Sequence, residues 1–173
     1  MPAIAVENLC FHYDSRKPVL DSLSFTIEAG SVTSILGPNG SGKTTLLKLL
    51  LGLKQPVSGT VLIAGRPIDQ IPLAERAKLL AYVPQQHSPI FSYKSLDVAA
   101  MGRVPHAGIF CSLKKNDLEI ARQNMARLGI EHLADRPYTE ISGGEQQLVL
   151  IARALSQGAG ILILDEPVAG LDY

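Results

Sequence analysis

The stretch Gly37-Pro38-Asn39-Gly40-Ser41-Gly42-Lys43-Thr44 constrains this chain more than any other. It satisfies the pattern G-x-x-x-x-G-K-[ST], and its flanks are those the pattern's mechanism demands. Before it, Ser31-Val32-Thr33-Ser34-Ile35-Leu36 is short and rich in β-branched residues, which predicts a buried strand. After it, Thr45 to Leu51 predicts a mostly apolar helix stopped by Gly52. Glycines let successive backbone N–H groups turn inward around an anion, and the helix N-terminus adds the positive end of its dipole. Lys43 brings a point charge for the β- and γ-phosphates of a nucleotide, and Thr44 offers a hydroxyl to magnesium. An accidental glycine-rich turn is the plainer alternative, and requiring an expected strand before and helix after lowers its frequency.

A second element supports the first. Ile161-Leu162-Ile163-Leu164 reads as a fully apolar strand that ends in Asp165-Glu166. Carboxylates at the carboxyl end of a buried parallel strand lie in the crevice where open α/β sheets bind ligands. Asp165 can hold magnesium, directly or through water, and Glu166 is placed to polarise an attacking water. A solvated acidic pair at a strand end is the plainer alternative, and only the phosphate loop displaces it. Phosphoryl transfer asks for positioning and electrostatic stabilisation, which these residue types supply.

Bulk properties narrow the rest. A chain of 173 residues with 46% hydrophobic and 18% charged residues suits one globular domain with a sizeable core. Sixteen basic and sixteen acidic residues cancel, so no global field steers it to nucleic acid or to an anionic membrane. No apolar run approaches the roughly 18 residues of a membrane span, and the first residues do not open a signal peptide. Cys10 and Cys111 lack metal spacing; free thiols in a reducing compartment are expected rather than a disulfide.

Along the chain, residues 4–11 and 23–27 alternate apolar and polar, predicting antiparallel strands with one solvated face. Strands are also expected at residues 60–65 and 80–85, and a short helix at residues 72–80 with proline in its first turn. Asn116 is the expected N-cap of a helix, with Glu119 in the capping position and Leu118, Ala121, Met125 and Leu128 forming a core-facing stripe up to Gly129. Ser142-Gly143-Gly144-Glu145 opens another capped helix through Leu155. Parallel strands and helices behind an antiparallel front sheet make the fold class α/β.

Ile141-Ser142-Gly143-Gly144-Glu145, with Gln146-Gln147 after it, resembles the Leu-Ser-Gly-Gly-Gln signature of ATP-binding cassette (ABC) proteins. The phosphate loop upstream and the carboxylate pair downstream complete the resemblance, which runs from Val6 to Asp172. It implies a P-loop NTPase core with a mostly parallel sheet, an N-terminal antiparallel β subdomain and an inserted helical subdomain. Residues 1–85 and 156–173 would form the core and residues 86–155 the helical part. It also implies ATP and Mg²⁺ as cofactors, and a head-to-tail dimer in which Ser142, Gly143, Gly144 and Glu145 cover the γ-phosphate on the partner's loop. Nucleotide contacts would come from Gly37, Pro38, Asn39, Gly40, Ser41, Gly42, Lys43, Thr44 and Thr45. Tyr13 is similar to the aromatic residue that stacks on adenine. Gln85 is similar to the glutamine that reaches magnesium and the attacking water, so that Lys43, Gln85 and Glu166 are the implied catalytic residues and Thr44, Gln85 and Asp165 the implied metal contacts. Asp172 matches a dimer-contact aspartate.

Three departures stand out. Glu145 replaces the usual glutamine of the signature, adding negative charge beside a phosphate site, and Ile141 replaces leucine. Val168 stands where threonine or serine is common. The sequence ends at Tyr173, before the family's γ-phosphate histidine; His12, His87, His106 and His132 all come earlier. The chain is therefore expected to be a fragment of a cassette that alone binds ATP weakly and hydrolyses it poorly.

The segment Met101-Gly102-Arg103-Val104-Pro105-His106 resembles the Gly-Arg-x-Pro-His stretch of importer ATPases for iron-siderophore, haem and cobalamin complexes. That implies an ATPase subunit peripheral to the cytoplasmic face of the inner membrane. Its partners would be membrane permease subunits and, indirectly, a substrate-binding protein, with no nucleic acid. His106 itself is expected to be a loop histidine rather than a metal ligand. A nucleotide-binding remnant without turnover and a soluble non-transport ABC protein remain the alternatives.

Overall fold

Burial alternates along Pro2–Phe11 (β1), with Ile4, Val6, Leu9 and Phe11 turned inward. A computed structural model describes residues 2–14, 17–85, 92–107 and 112–166; His87, Cys111, Val168 and Asp172 lie outside the described residues. The chain divides into two units, residues 1–76 and 77–173. In the first, Leu20–Glu28 (β2) and Ser58–Ile63 (β3) flank β1 in antiparallel pairing, Val6 facing Phe25 on one side and Val61 on the other. Arg66–Pro67 (β4) completes the order β2-β1-β3-β4. The antiparallel front sheet is thus as the alternation predicts.

One irregularity in this sheet has a clear cause. The ladder shifts register between Val6 and Leu9, where Asn8 takes φ 48°. At Gly59 (φ 83°) a Cβ would stand 2.3 Å from the Asn8 carbonyl oxygen, so β3 passes this bulge with room for no side chain.

Lys43–Leu50 (α1) buries Leu46, Leu47, Leu49 and Leu50 along one face. It stops at Gly52, whose φ of 65° is the left-handed turn that glycine makes without penalty. The Arg76 guanidinium donates to the carbonyls of Leu51 (3.4 Å) and Gly52 (2.9 Å), a cation suited to that end of the α1 dipole, and to the Ile71 carbonyl (3.1 Å).

The segment 31–36 departs from expectation. It forms no strand among the described residues, and Val32 and Leu36 are 99% and 90% exposed. β-Branched composition fits a residue to a pleated surface, but a strand exists only where a neighbour takes its N–H and C=O groups. No described strand pairs with this one, so propensity has nothing to act on.

The second unit holds the parallel ladder. Leu80–Val83 (β5) runs beside Ile161–Leu164 (β6), with Leu80 opposite Ile161 and Val83 opposite Leu164. Leu73–Leu79 (α2) leads into β5, giving way to it without a loop. Among the described residues, four α-helices lie between β5 and β6: Ser95–Ala100 (α3), the single turn Val104–Ala107 (α4), Lys115–Arg127 (α5) and Gly143–Gln157 (α6). Of these α3, α5 and α6 enclose a core of Ala99, Ala100, Ala121, Met125, Leu133 and Val149, all fully buried. Ala121 and Met125 form the predicted stripe, with Leu118 and Leu128 packed at its margin.

The start of α5 differs from the sequence expectation. Its N-cap is Lys114, and the capping carboxylate is Asp117, which accepts from the Lys114 N–H at 3.0 Å; Asn116 and Glu119 sit inside the helix. Asp117 wins because it also meets Arg103, a partner that local spacing does not reveal. No helix among the described residues is long and apolar enough to cross a membrane.

Candidate functional site

The phosphate loop is built as its residue types require. Gly40 and Gly42 take φ of 79° and 93°, the region that side chains disfavour. At Gly37 a Cβ would meet the Ser41 hydroxyl at 2.7 Å. Gly42 is the N-cap of α1, so the first helical turn, with its N–H groups directed back toward the N-terminus, follows the loop directly. The Lys43 ammonium folds back and donates to the carbonyls of Gly37 (2.8 Å) and Pro38 (3.0 Å). Those are carbonyl acceptors, which a polyanion outcompetes for an ammonium donor. Loop, lysine and helix end therefore fit the phosphate chain of a nucleotide.

Tyr13 stands beside this loop. Its hydroxyl shares a hydrogen bond with the Thr45 hydroxyl on α1 at 3.1 Å, and its ring is 61% exposed. Phe11 supports the ring edge-to-face at 5.0 Å. The Lys54 ammonium lies 4.8 Å from the centroid, a cation over the π-face that sequence reasoning misses because its position after the Gly52 turn carries no motif. A planar, exposed ring next to a phosphate loop offers the kind of π-face on which a base can stack.

In the second unit three predicted residues converge. Val83 accepts from the Asp165 N–H at 3.0 Å, extending the β5–β6 ladder by one bond and fixing where Asp165 emerges. Its side chain is buried, and the Tyr82 hydroxyl donates to Oδ2 at 3.4 Å. Burial, with the Asp165 charge adding to it, pushes the Tyr82 phenol up, so it remains a donor. Glu166 is exposed and takes φ 47°, a strained conformation for a glutamate and one often found at functional positions. Gln85 Nε2 donates to Glu166 Oε2 at 2.5 Å. Two residues named from motifs 81 positions apart are thus in direct contact. Tyr82 is a further site residue that sequence reasoning passes over, since its only visible signal is membership of a strand.

The donor set also bears on metal. No group of three or more His, Cys, Asp or Glu side chains that could cage an ion exists among the described residues. Magnesium does not need one: it takes one or two protein oxygens and completes its shell with phosphate and water. Thr44 in the first unit and Asp165 in the second each carry a hard oxygen of the kind it takes.

The signature forms a closed capping box at the start of α6. The Ser142 hydroxyl accepts from the Glu145 N–H at 3.3 Å and donates to Glu145 Oε2 at 2.8 Å; the Ser142 N–H donates to the same oxygen at 2.8 Å. The Ser142 N–H, and then its hydroxyl, hold the Glu145 carboxyl below the usual range. Glu145 thus occupies, with its own negative charge, part of the anion-favouring end of α6. Gly143 has nothing within 4 Å of where a Cβ would stand, so this end is open on that side.

Comparison with known proteins agrees with this geometry. The family model for ABC transporters matches residues 20–169. A relative from Helicobacter pylori, named "Probable iron chelatin transport ATP-binding protein", is 45% identical over 171 residues, covering 98% of this chain and 66% of its own length. The molybdate import ATP-binding protein MolC of Haemophilus influenzae is 38% identical over 170 residues, covering 98% of this chain and 62% of its own. Among solved structures, a metal-chelate type ABC transporter in an inward-facing conformation superposes with a TM-score of 0.85 at 37% identity, covering 99% of this chain and 62% of that one. The chain spans a little under two thirds of the length of these relatives.

Proposed function

The chain belongs to the ABC transporter family, and from that premise we propose that it is the ATP-binding and ATP-hydrolysing part of an importer for an iron-chelate, haem or cobalamin type of cargo. In this reading residues 37–45 hold the phosphates, Tyr13 stacks on the base, and Thr44 and Asp165 offer oxygens to magnesium. Bound MgATP supplies the phosphoryl group and the charge that the site neutralises. Glu166 accepts a proton from the attacking water, and Gln85 orients both the carboxylate and that water. The observation that carries the reading is the Gln85–Glu166 hydrogen bond, which joins an orienting amide to a general base.

As the family implies, Ser142 to Glu145 would act on a nucleotide held by a second copy, with the helix N-terminus beside Gly143 favouring an anion. Residues 1–85 and 156–173 would form the nucleotide core and 86–155 the helical part, whose exposed faces would meet membrane permease subunits at the cytoplasmic side. A substrate-binding protein would be reached only through those permeases. The cargo assignment leans on the iron chelatin relative and on the segment Gly102–His106; the molybdate relative marks a competing reading.

Phosphate release from MgATP by the purified chain tests the reading. Glu166→Gln should lower turnover about 100-fold or more, as expected for losing a positioned base, with nucleotide still bound. Turnover in Glu166→Gln equal to that of the parent would contradict it.

A further inference from the structure

The segment Gly102–His106, which the proposed chemistry does not use, is bonded to the far end of the signature helix. Arg103 Nη1 donates to the Ser156 carbonyl at 3.0 Å and its Nε pairs with Asp117 Oδ1 at 3.2 Å, both side chains being more than four-fifths buried. His106 Nε2 meets the Gln157 carbonyl at 2.7 Å. These are two of the last carbonyls of α6, which no intrahelical N–H can satisfy. Gly102 lies against the same turn: a Cβ there would stand 2.0 Å from the Arg153 carbonyl oxygen. The helix end is tied onward as well, since Gln157 Nε2 donates to the carbonyls of Ala77 (2.6 Å) and Leu80 (2.7 Å), where β5 begins. Asn124 reaches the Ser156 hydroxyl at 3.3 Å from α5, so this turn is held from three elements.

We propose that Gly102, Arg103 and His106 form a clamp that sets the direction of α6 and thereby positions Ser142 and Glu145 at its other end, about 22 Å away for a helix of 15 residues. The same turn, through Gln157, fixes the start of the strand that leads to Gln85. These three are positioning residues: none touches the loop, the carboxylates or the signature. The role rests on the proposed function only for its purpose; the clamp itself is a property of the unit. Arg103 serves two ends at once, because its planar fork can cap a carbonyl and pair a carboxylate together in fixed geometry. Gly102 is required for contact and not for a special φ.

Amide hydrogen exchange on the full chain, read by mass spectrometry, tests this without reference to activity. His106→Ala, which removes one hydrogen bond, should speed exchange about fivefold both in the last turn of α6 and at residues 143–147, and Arg103→Ala, which removes two, by more than that. Amides of α1 should not change, and ATP affinity should stay within about twofold of the parent, since the clamp does not touch the loop. His106→Gln keeps an N–H donor and should restore slow exchange. Acceleration confined to the last turn, acceleration spread equally to α1, or a His106→Gln variant as fast as His106→Ala would each overturn the proposal. If Arg103→Ala fails to fold, the exposed His106 carries the test alone. Absence of ATP binding by the parent would count against the proposed function and leave the exchange result standing.

Discussion

Gly40 and Gly42 both adopt positive φ in the phosphate loop, but only one of them is crowded, and that difference can be measured. At Gly40 (φ 79°) nothing lies within 4 Å of where a side-chain carbon would stand, so Gly40→Ala meets only the backbone penalty of about 1–2 kcal/mol. At Gly42 (φ 93°) the same carbon would meet Val19 Cγ1 at 3.0 Å, the Val19 carbonyl at 3.2 Å and Leu20 Cδ2 at 3.3 Å. Those neighbours lie at the start of β2 and cannot all retreat, so overpacking adds about 1–3 kcal/mol. Strain in a loop that keeps its shape lowers stability; strain released by a shift in shape lowers nucleotide affinity instead. The quantity to compare is therefore the sum of the two, from denaturant unfolding and from titration with a fluorescent ATP analogue. Gly42→Ala should lose at least about 1 kcal/mol more in total than Gly40→Ala, a factor of about five when expressed in affinity. Equal losses, or a Gly42→Ala variant indistinguishable from the parent, would refute the argument that this cap position is closed to a side chain.

Other consequences are simpler to state. Removing the stacking platform with Tyr13→Ala should weaken ATP binding by about 1–3 kcal/mol, whereas Tyr13→Phe should keep most of the affinity; equal losses would mean the hydroxyl and not the ring matters. Met125 is fully buried in the helical core, and Met125→Ala should cost about 2–5 kcal/mol in unfolding stability, a loss under about 1 kcal/mol arguing that the core collapses onto the gap. The Lys114 N–H, and then Arg103, hold the Asp117 carboxyl below its ordinary range. Its stabilising contribution is thus present above the unfolded value of about 3.9 and disappears as pH falls through the lower folded value. The denaturation midpoint of the parent should drop as pH falls below about 4 by more than that of Asp117→Asn; parallel curves would remove Asp117 from the acid response.

What can be read from the sequence is local. The loop at Gly37–Thr44, the alternation in β1 and the Ser142–Glu145 box are each decided within a few residues, and each stands in the structure. The strand expected at Ser31–Leu36 depends on a partner, which composition cannot supply. Asn116 is a reasonable cap by residue type, but Asp117 has Arg103 as well, 14 positions back. His106 carries no visible role in the sequence because its acceptor lies 51 residues ahead. Gln85 and Glu166 are named singly by their motifs, yet their contact is a matter of β5 lying parallel to β6, which only the fold provides.

Lys43 and its loop are central because they are held to grip nucleotide phosphate, and direct titration of the chain with MgATP decides it most plainly. Lys43 bonds two loop carbonyls, so on binding nucleotide it would exchange those for phosphate oxygens and gain the difference between a dipole and a charge. Each hydrogen bond to a charged group is worth about 1.5–3 kcal/mol. Lys43→Ala should therefore weaken binding by about tenfold or more, with Glu166→Gln leaving it nearly unchanged. Binding that survives Lys43→Ala intact, or that Glu166→Gln abolishes, would contradict the account.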